Sequence, residues 1–168
     1  VLNSSTAGDE EELISNISRY ANSQNAVKLS DLSANKPFHV ELEKLSLATY
    51  CPDGVGRWFY ERAAGSYNVM LSRDGATPAK LRQLRAAIPP ARKITKTDVA
   101  KYLNCWSERP DLVSFGSQKN FERFMAGLVD DAGNMTTPLP DSAFYKQLVA
   151  KAIIFRTAQK VLRGKFPA

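Results

Sequence analysis

From Asp141 to about Arg163 apolar residues recur at helical spacing. Tyr145, Leu148, Ala152 and Phe155 form one row, with Val149 and Ile153 beside it. A stripe that long and that broad needs more than one neighbour to cover it, so the rest of the chain has to supply helices that pack around it. Helix starts with the right chemistry do recur. Asp9 is followed three residues later by Glu12, as in a capping box, and Leu13, Ile14, Ile17, Tyr20 and Ala21 mark one face of a helix ending near Asn22 to Asn25. Pro37 sits where a first helical residue should, ahead of a Phe38, Leu42, Leu45 stripe that ends near Ala48. Thr77-Pro78 opens a helix with Leu81, Leu84 and Ile88 inward, stopped by Pro89-Pro90. Thr95 and Asp98 repeat the capping box before Val99, Tyr102, Leu103 and Trp106. After an interruption at Arg109-Pro110, Ser117 caps a helix with Phe121, Phe124, Met125, Leu128 and Val129 on its inner face, until Gly133.

Between the second and third of these helices the pattern changes. Cys51 to Gly56 is turn chemistry throughout, and the aromatic run Arg57 to Arg62 reads as extended chain broken by Gly65. Tyr67 to Leu71 fits a short helix or a continued extended piece. The fold class is therefore mainly α: a single helical domain over residues 1–168, with five or six helices and one short extended segment near 57–62. Residues 1–8 read as a frayed end and 134–140 as a proline-rich connection before the last helix. The start at Val1 suggests a fragment of a longer chain.

A hydrophobic fraction of 43% and a mean hydropathy of −0.32 agree with a globular, soluble chain. No apolar run approaches the roughly 20 residues that a membrane span needs, and the N-terminus lacks a secretory signal. Cys51 and Cys105 have no metal-ligand spacing around them and read as buried reduced thiols. His39, the only histidine, begins an amphipathic helix where it packs or meets solvent. There is no phosphate-cradling glycine loop, no nucleophile elbow, and no acid two residues before a Lys. No catalytic constellation, metal site or cofactor is indicated. Glu41 and Glu43 point in different directions on their helix, and Asp130-Asp131 mark a solvated helix end.

Two features remain that fit binding. The net charge is +6, and Lys80, Arg82, Arg85, Arg92, Lys93, Lys96 and Lys101 fall in a segment whose one acid is Asp98. Such clustering suits a polyanion, since phosphate contacts release counterions, although solvated helix surface is the plainer use. In Tyr60-Glu61-Arg62 the Arg is placed to clasp phosphate, stack on a base, or pair with Glu61, and pairing with Glu61 is the plainer use here too. Asp98 likewise has a structural use as a cap. The amide-rich stretch Arg19 to Leu32 is able either to brace loops or to present a hydrogen-bonding surface.

The pieces Ile17-Ser18-Arg19-Tyr20-Ala21-Asn22-Ser23-Gln24-Asn25-Ala26-Val27, Asp31-Leu32, Ala34-Asn35-Lys36-Pro37-Phe38 and Trp58-Phe59-Tyr60-Glu61-Arg62 resemble, in that order, the abortive infection phage resistance family of bacterial proteins. Thr95 to Lys101, Gln118 to Phe121 and Leu148 to Ile153 continue the likeness, which runs from about Asp9 to Arg163. The resemblance implies a cytoplasmic part of a longer anti-phage protein. It carries no catalytic residues, and its polar motifs nominate Arg19, Asn22, Gln24, Asn25, Asp31, Tyr60, Glu61, Arg62, Lys96, Asp98, Lys119 and Asn120 as a binding face. DNA or RNA and other domains of the same chain are the expected partners. Two alternatives stand beside a non-catalytic binding module: a scaffold bracing neighbouring domains, and part of a nuclease-type enzyme completed elsewhere in the chain.

Overall fold

The computed structural model describes residues 33–130 and 134–166. Within them seven α-helices surround a two-stranded parallel sheet: α1 (Pro37–Ala48), β1 (Phe59–Glu61), α2 (Ser66–Asp74), α3 (Pro78–Ala87), β2 (Lys93–Thr95), α4 (Lys96–Trp106), α5 (Pro110–Ser114), α6 (Ser117–Ala126) and α7 (Ser142–Lys165). The mainly helical reading holds. The extended segment is β1, and it has a partner that three residues of sequence were too short to announce. Parallel strands need a crossover, and α2 with α3 provides it. The pairing sets Phe59 opposite Lys93, Tyr60 opposite Ile94 and Glu61 opposite Thr95.

This small sheet is the seam between two cores. Side chains alternate across a strand. Tyr60 and Ile94 enter the main core, where Phe38 and Leu42 of α1, Val99 and Tyr102 of α4, Phe121 and Phe124 of α6, and Tyr145, Leu148 and Ala152 of α7 meet. Phe59 enters a smaller core with Tyr67, Met70, Leu71 and Ile88, closed by α2 and α3. The Tyr67 hydroxyl donates to the Ile88 carbonyl at 2.6 Å and ties the crossover together.

Local signals account for most element ends. The Thr77 hydroxyl accepts from the Lys80 amide, and the Asp141 carboxylate from the Phe144 amide. Thr95 and Asp98 form both halves of their capping box. Of the two readings of Tyr67 to Leu71 the helix is the one realised, as α2, begun by Gly65 at φ 82°. Two details differ from the sequence expectation. Pro110 begins the short helix α5 instead of only breaking the chain, behind Glu108 at φ 60°. And α6 stops at Gly127 rather than Gly133, because Leu128 folds back into the main core while Val129 pairs in antiparallel fashion with Met135.

Candidate functional site

The polar residues of β1 and its surroundings form a network about His39. This side chain is fully buried in the first turn of α1, lying nearly parallel to the rings of Tyr60 and Phe121 at 6.1 and 5.9 Å. Its Nδ1 is 2.6 Å from the Tyr60 hydroxyl and its Nε2 3.2 Å from the Met125 sulfur. The Met125 sulfur has no proton to donate, so Nε2 carries the imidazole proton and Nδ1 accepts from the Tyr60 hydroxyl. Burial holds the Tyr60 phenol well above its usual range, so it keeps the proton it donates. Burial, with the charges of Lys96 and Arg62 adding, pulls the imidazole down to about 4. The histidine is a neutral part of the core, and of the two expectations for it packing is the one realised.

Next to it, Arg62 donates to the Glu43 carboxylate at 2.7 Å, to the Ala34 carbonyl at 3.1 Å and to the Asn35 side chain at 2.8 Å. Glu61 pairs instead with Lys93, 2.8 Å away. The expected Arg62 to Glu61 pairing is thus corrected. Successive residues of a strand face opposite sides, so neighbours in sequence are poorly placed to hold each other. Glu41 and Glu43 do diverge, Glu41 going to Lys44 at 3.1 Å and Glu43 to Arg62.

The parallel register carries the second motif to the first. Lys96, buried at the start of α4, follows Thr95, which lies opposite Glu61. Asp98 binds the Thr95 amide at 3.1 Å and hydroxyl at 2.9 Å, and Arg156 of α7 stands 3.5 Å away. Arg156 also reaches the Tyr102 hydroxyl at 2.8 Å and the Lys93 carbonyl at 2.6 Å, with its guanidinium 5.4 Å from the Trp58 ring. Asn120 is buried on α6, accepts from Asn104 at 2.7 Å, and has an Nδ2 without a hydrogen-bond partner. Lys119 is exposed, its ammonium 5.9 Å from the Phe115 ring. Tyr60, Glu61, Arg62, Lys96 and Asp98 are therefore gathered at the sheet, Asn120 lies beside Phe121, and Lys119 faces outward. Arg19, Asn22, Gln24, Asn25 and Asp31 lie outside the described residues.

The basic segment separates in the same way. Lys93 is engaged with Glu61, and Lys96 is buried. Lys80, Arg82 and Arg85 stay exposed on α3, which has no acid. The last helix, α7, carries Lys146, Lys151, Arg156, Lys160, Arg163 and Lys165 and again no acid. Arg156, Lys160 and Arg163 are spaced by four and three, on one face of that helix, and the last two are exposed. Ile154, Val161, Leu162 and Phe166 are exposed there too, at 54%, 52%, 57% and 72%. Sequence reading nominated none of these, although six cations without an acid in one helix was a visible signal. Glu43, Lys93 and His39 were missed as partners of the nominated residues because they lie far away along the chain.

No group of His, Cys, Asp and Glu among the described residues is arranged to hold a metal ion. Cys51 and Cys105 are free thiols, half-buried rather than buried. No described helix is long and apolar enough to cross a membrane. Among protein families, the model for AIPR protein matches residues 1–168. No curated protein matches, and no solved structure does.

Proposed function

Since the chain belongs to the AIPR family of abortive infection phage resistance proteins, we propose that it serves anti-phage defence as a non-catalytic binding module, meeting nucleic acid through the basic surface of α7. The observation that carries this reading is the acid-free run of cations on α7, with Lys160 and Arg163 extending into solvent along the face that Arg156 anchors to the Ala91 and Lys93 carbonyls. A helix face of that kind gains affinity from phosphates by releasing counterions, whatever the base sequence. The motif residues engaged at the sheet then serve recognition indirectly. Tyr60, Arg62 and Asp98 hold the sheet against which Arg156 fixes the helix.

Fluorescence anisotropy with single- and double-stranded DNA and RNA tests the proposal. Binding should weaken steeply as salt rises, and Lys160→Glu with Arg163→Glu should lower the slope of log K against log salt by about two. No binding at low salt, or a slope unchanged in the double variant, removes it.

A second reading has its own observation, the exposed Ile154, Val161 and Leu162 on the same helix with Phe166 just past its end. Apolar side chains clustered in this way suit a scaffold that braces another domain. In that case the chain binds no nucleic acid, and Leu162→Lys weakens its association with the domain it braces.

A further inference from the structure

A groove of about 540 Å³ runs between the end of α1 and the first half of α7, lined by Tyr50, Cys51, Trp58, Val149 and Ile153, with Lys146 at its edge. It is apolar, and it is open enough to leave Tyr50 55% and Ile153 48% exposed. Beside Lys146, three arginines stand against its lining residues, one of them, Arg156, already paired with Asp98. The Arg57 guanidinium lies 5.0 Å from the Tyr50 ring, Arg92 is 3.9 Å from the Cys51 sulfur, and Arg156 covers Trp58. The acid of the same loop, Asp53, accepts from the Val55 and Gly56 amides through Oδ1 and is near enough to Arg92 to interact with its charge.

The chain itself holds a segment of opposite character. Residues 9–21 carry Asp9, Glu10, Glu11 and Glu12 with Arg19 as their one cation, and their apolar residues Leu13, Ile14, Ile17, Tyr20 and Ala21 repeat at helical spacing. The segment is also within reach. The eleven residues 22–32 join it to Ser33, and extended they span up to about 36 Å. The groove lies near the far end of α1, a helix of 12 residues, which measures about 18 Å.

We propose that residues 9–21 dock as an amphipathic helix in this groove, with Ile17 and its apolar neighbours on Val149, Ile153 and Trp58 and the acidic turn toward the cationic rim. Tethering keeps the segment at a high effective concentration near its site, so the contact forms within one chain. The occupant is this chain's own segment, and neither a second copy nor an outside peptide is needed.

Cys51 provides the test, because it lines the groove. In the 168-residue chain, Ile17→Cys should give an intrachain disulfide to Cys51 on mild oxidation, identified by peptide mapping. It should form at least about tenfold faster than in Ser15→Cys, whose side chain lies on the other face of the segment, since bridging needs close and well-directed β-carbons. Equal rates in the two variants, no bridge, or a bridge between chains overturns the proposal, the last in favour of a second copy. In the natural sequence, Ile17→Asp should speed alkylation of Cys51 severalfold and leave Cys105 unchanged. An unchanged Cys51 rate also overturns it.

Discussion

Around His39 the polar atoms of Tyr60, Arg62 and Glu43 are held by one another and by nearby backbone, whereas beyond Arg156 the last helix carries basic and apolar side chains into solvent. Both regions draw on the same residue classes. Arg62 and Arg163 are the same side chain, but Arg62 meets Glu43 and two further acceptors where α1 crosses the end of β1, while α7 has outrun the elements that cover its first half. A residue's role here follows from whether a neighbour covers it. The first region should govern stability and the second should govern association.

The comparison breaks most easily at Phe121, fully buried beside His39. Phe121→Ala should cost about 3–5 kcal/mol in urea unfolding, through lost burial and the cavity left behind. A smaller effect comes from pH. The His39 imidazole is depressed to about 4 in the folded chain, against its ordinary 6.5. Between those values the unfolded state binds more protons, so stability is full above the window and falls as pH drops through it, by about 3 kcal/mol once the lower value is passed. The natural chain compared with His39→Gln isolates this slope, and parallel stability profiles would remove the claim. Tyr60→Phe leaves Nδ1 of a buried imidazole without its donor, which should cost about 1–3 kcal/mol. Asp98→Ala removes half of a capping box and the Arg156 contact, a loss of about 1 kcal/mol. At the small end, Leu162→Ala should change stability by less than about 0.5 kcal/mol. A larger loss there would show that the outer half of α7 is covered after all, and would erase the contrast between the two regions.

Much of the helical framework was legible. The starts of α1, α3, α4 and α7 follow from Pro37, Thr77-Pro78, the Thr95 and Asp98 box, and Asp141, each acting within a few residues of itself. β1 was legible as extended chain but its partner was not, since Lys93–Thr95 lies beyond a two-helix crossover and shows no alternation long enough to read. The end of α6 was misplaced because the periodicity of Leu128 and Val129 continues past the residue where the chain turns at Gly127. Of the nominated polar residues, the sequence located Tyr60, Glu61 and Arg62 together but not their partners. Glu43, Lys93 and His39 are 19, 32 and 21 positions away from Arg62, Glu61 and Tyr60 respectively.

What the sequence determined by itself is the kind of element at each place, because caps, prolines and apolar spacing act through hydrogen bonds and contacts within a turn or two of helix. The packing of α1, β1, β2 and α4 decided which charges are spent inside. An ion pair depends on a few ångströms of separation, and only the folded chain sets that distance between residues far apart in order. The same packing left Lys160, Arg163 and Leu162 in solvent, since no described element extends far enough along α7 to cover them.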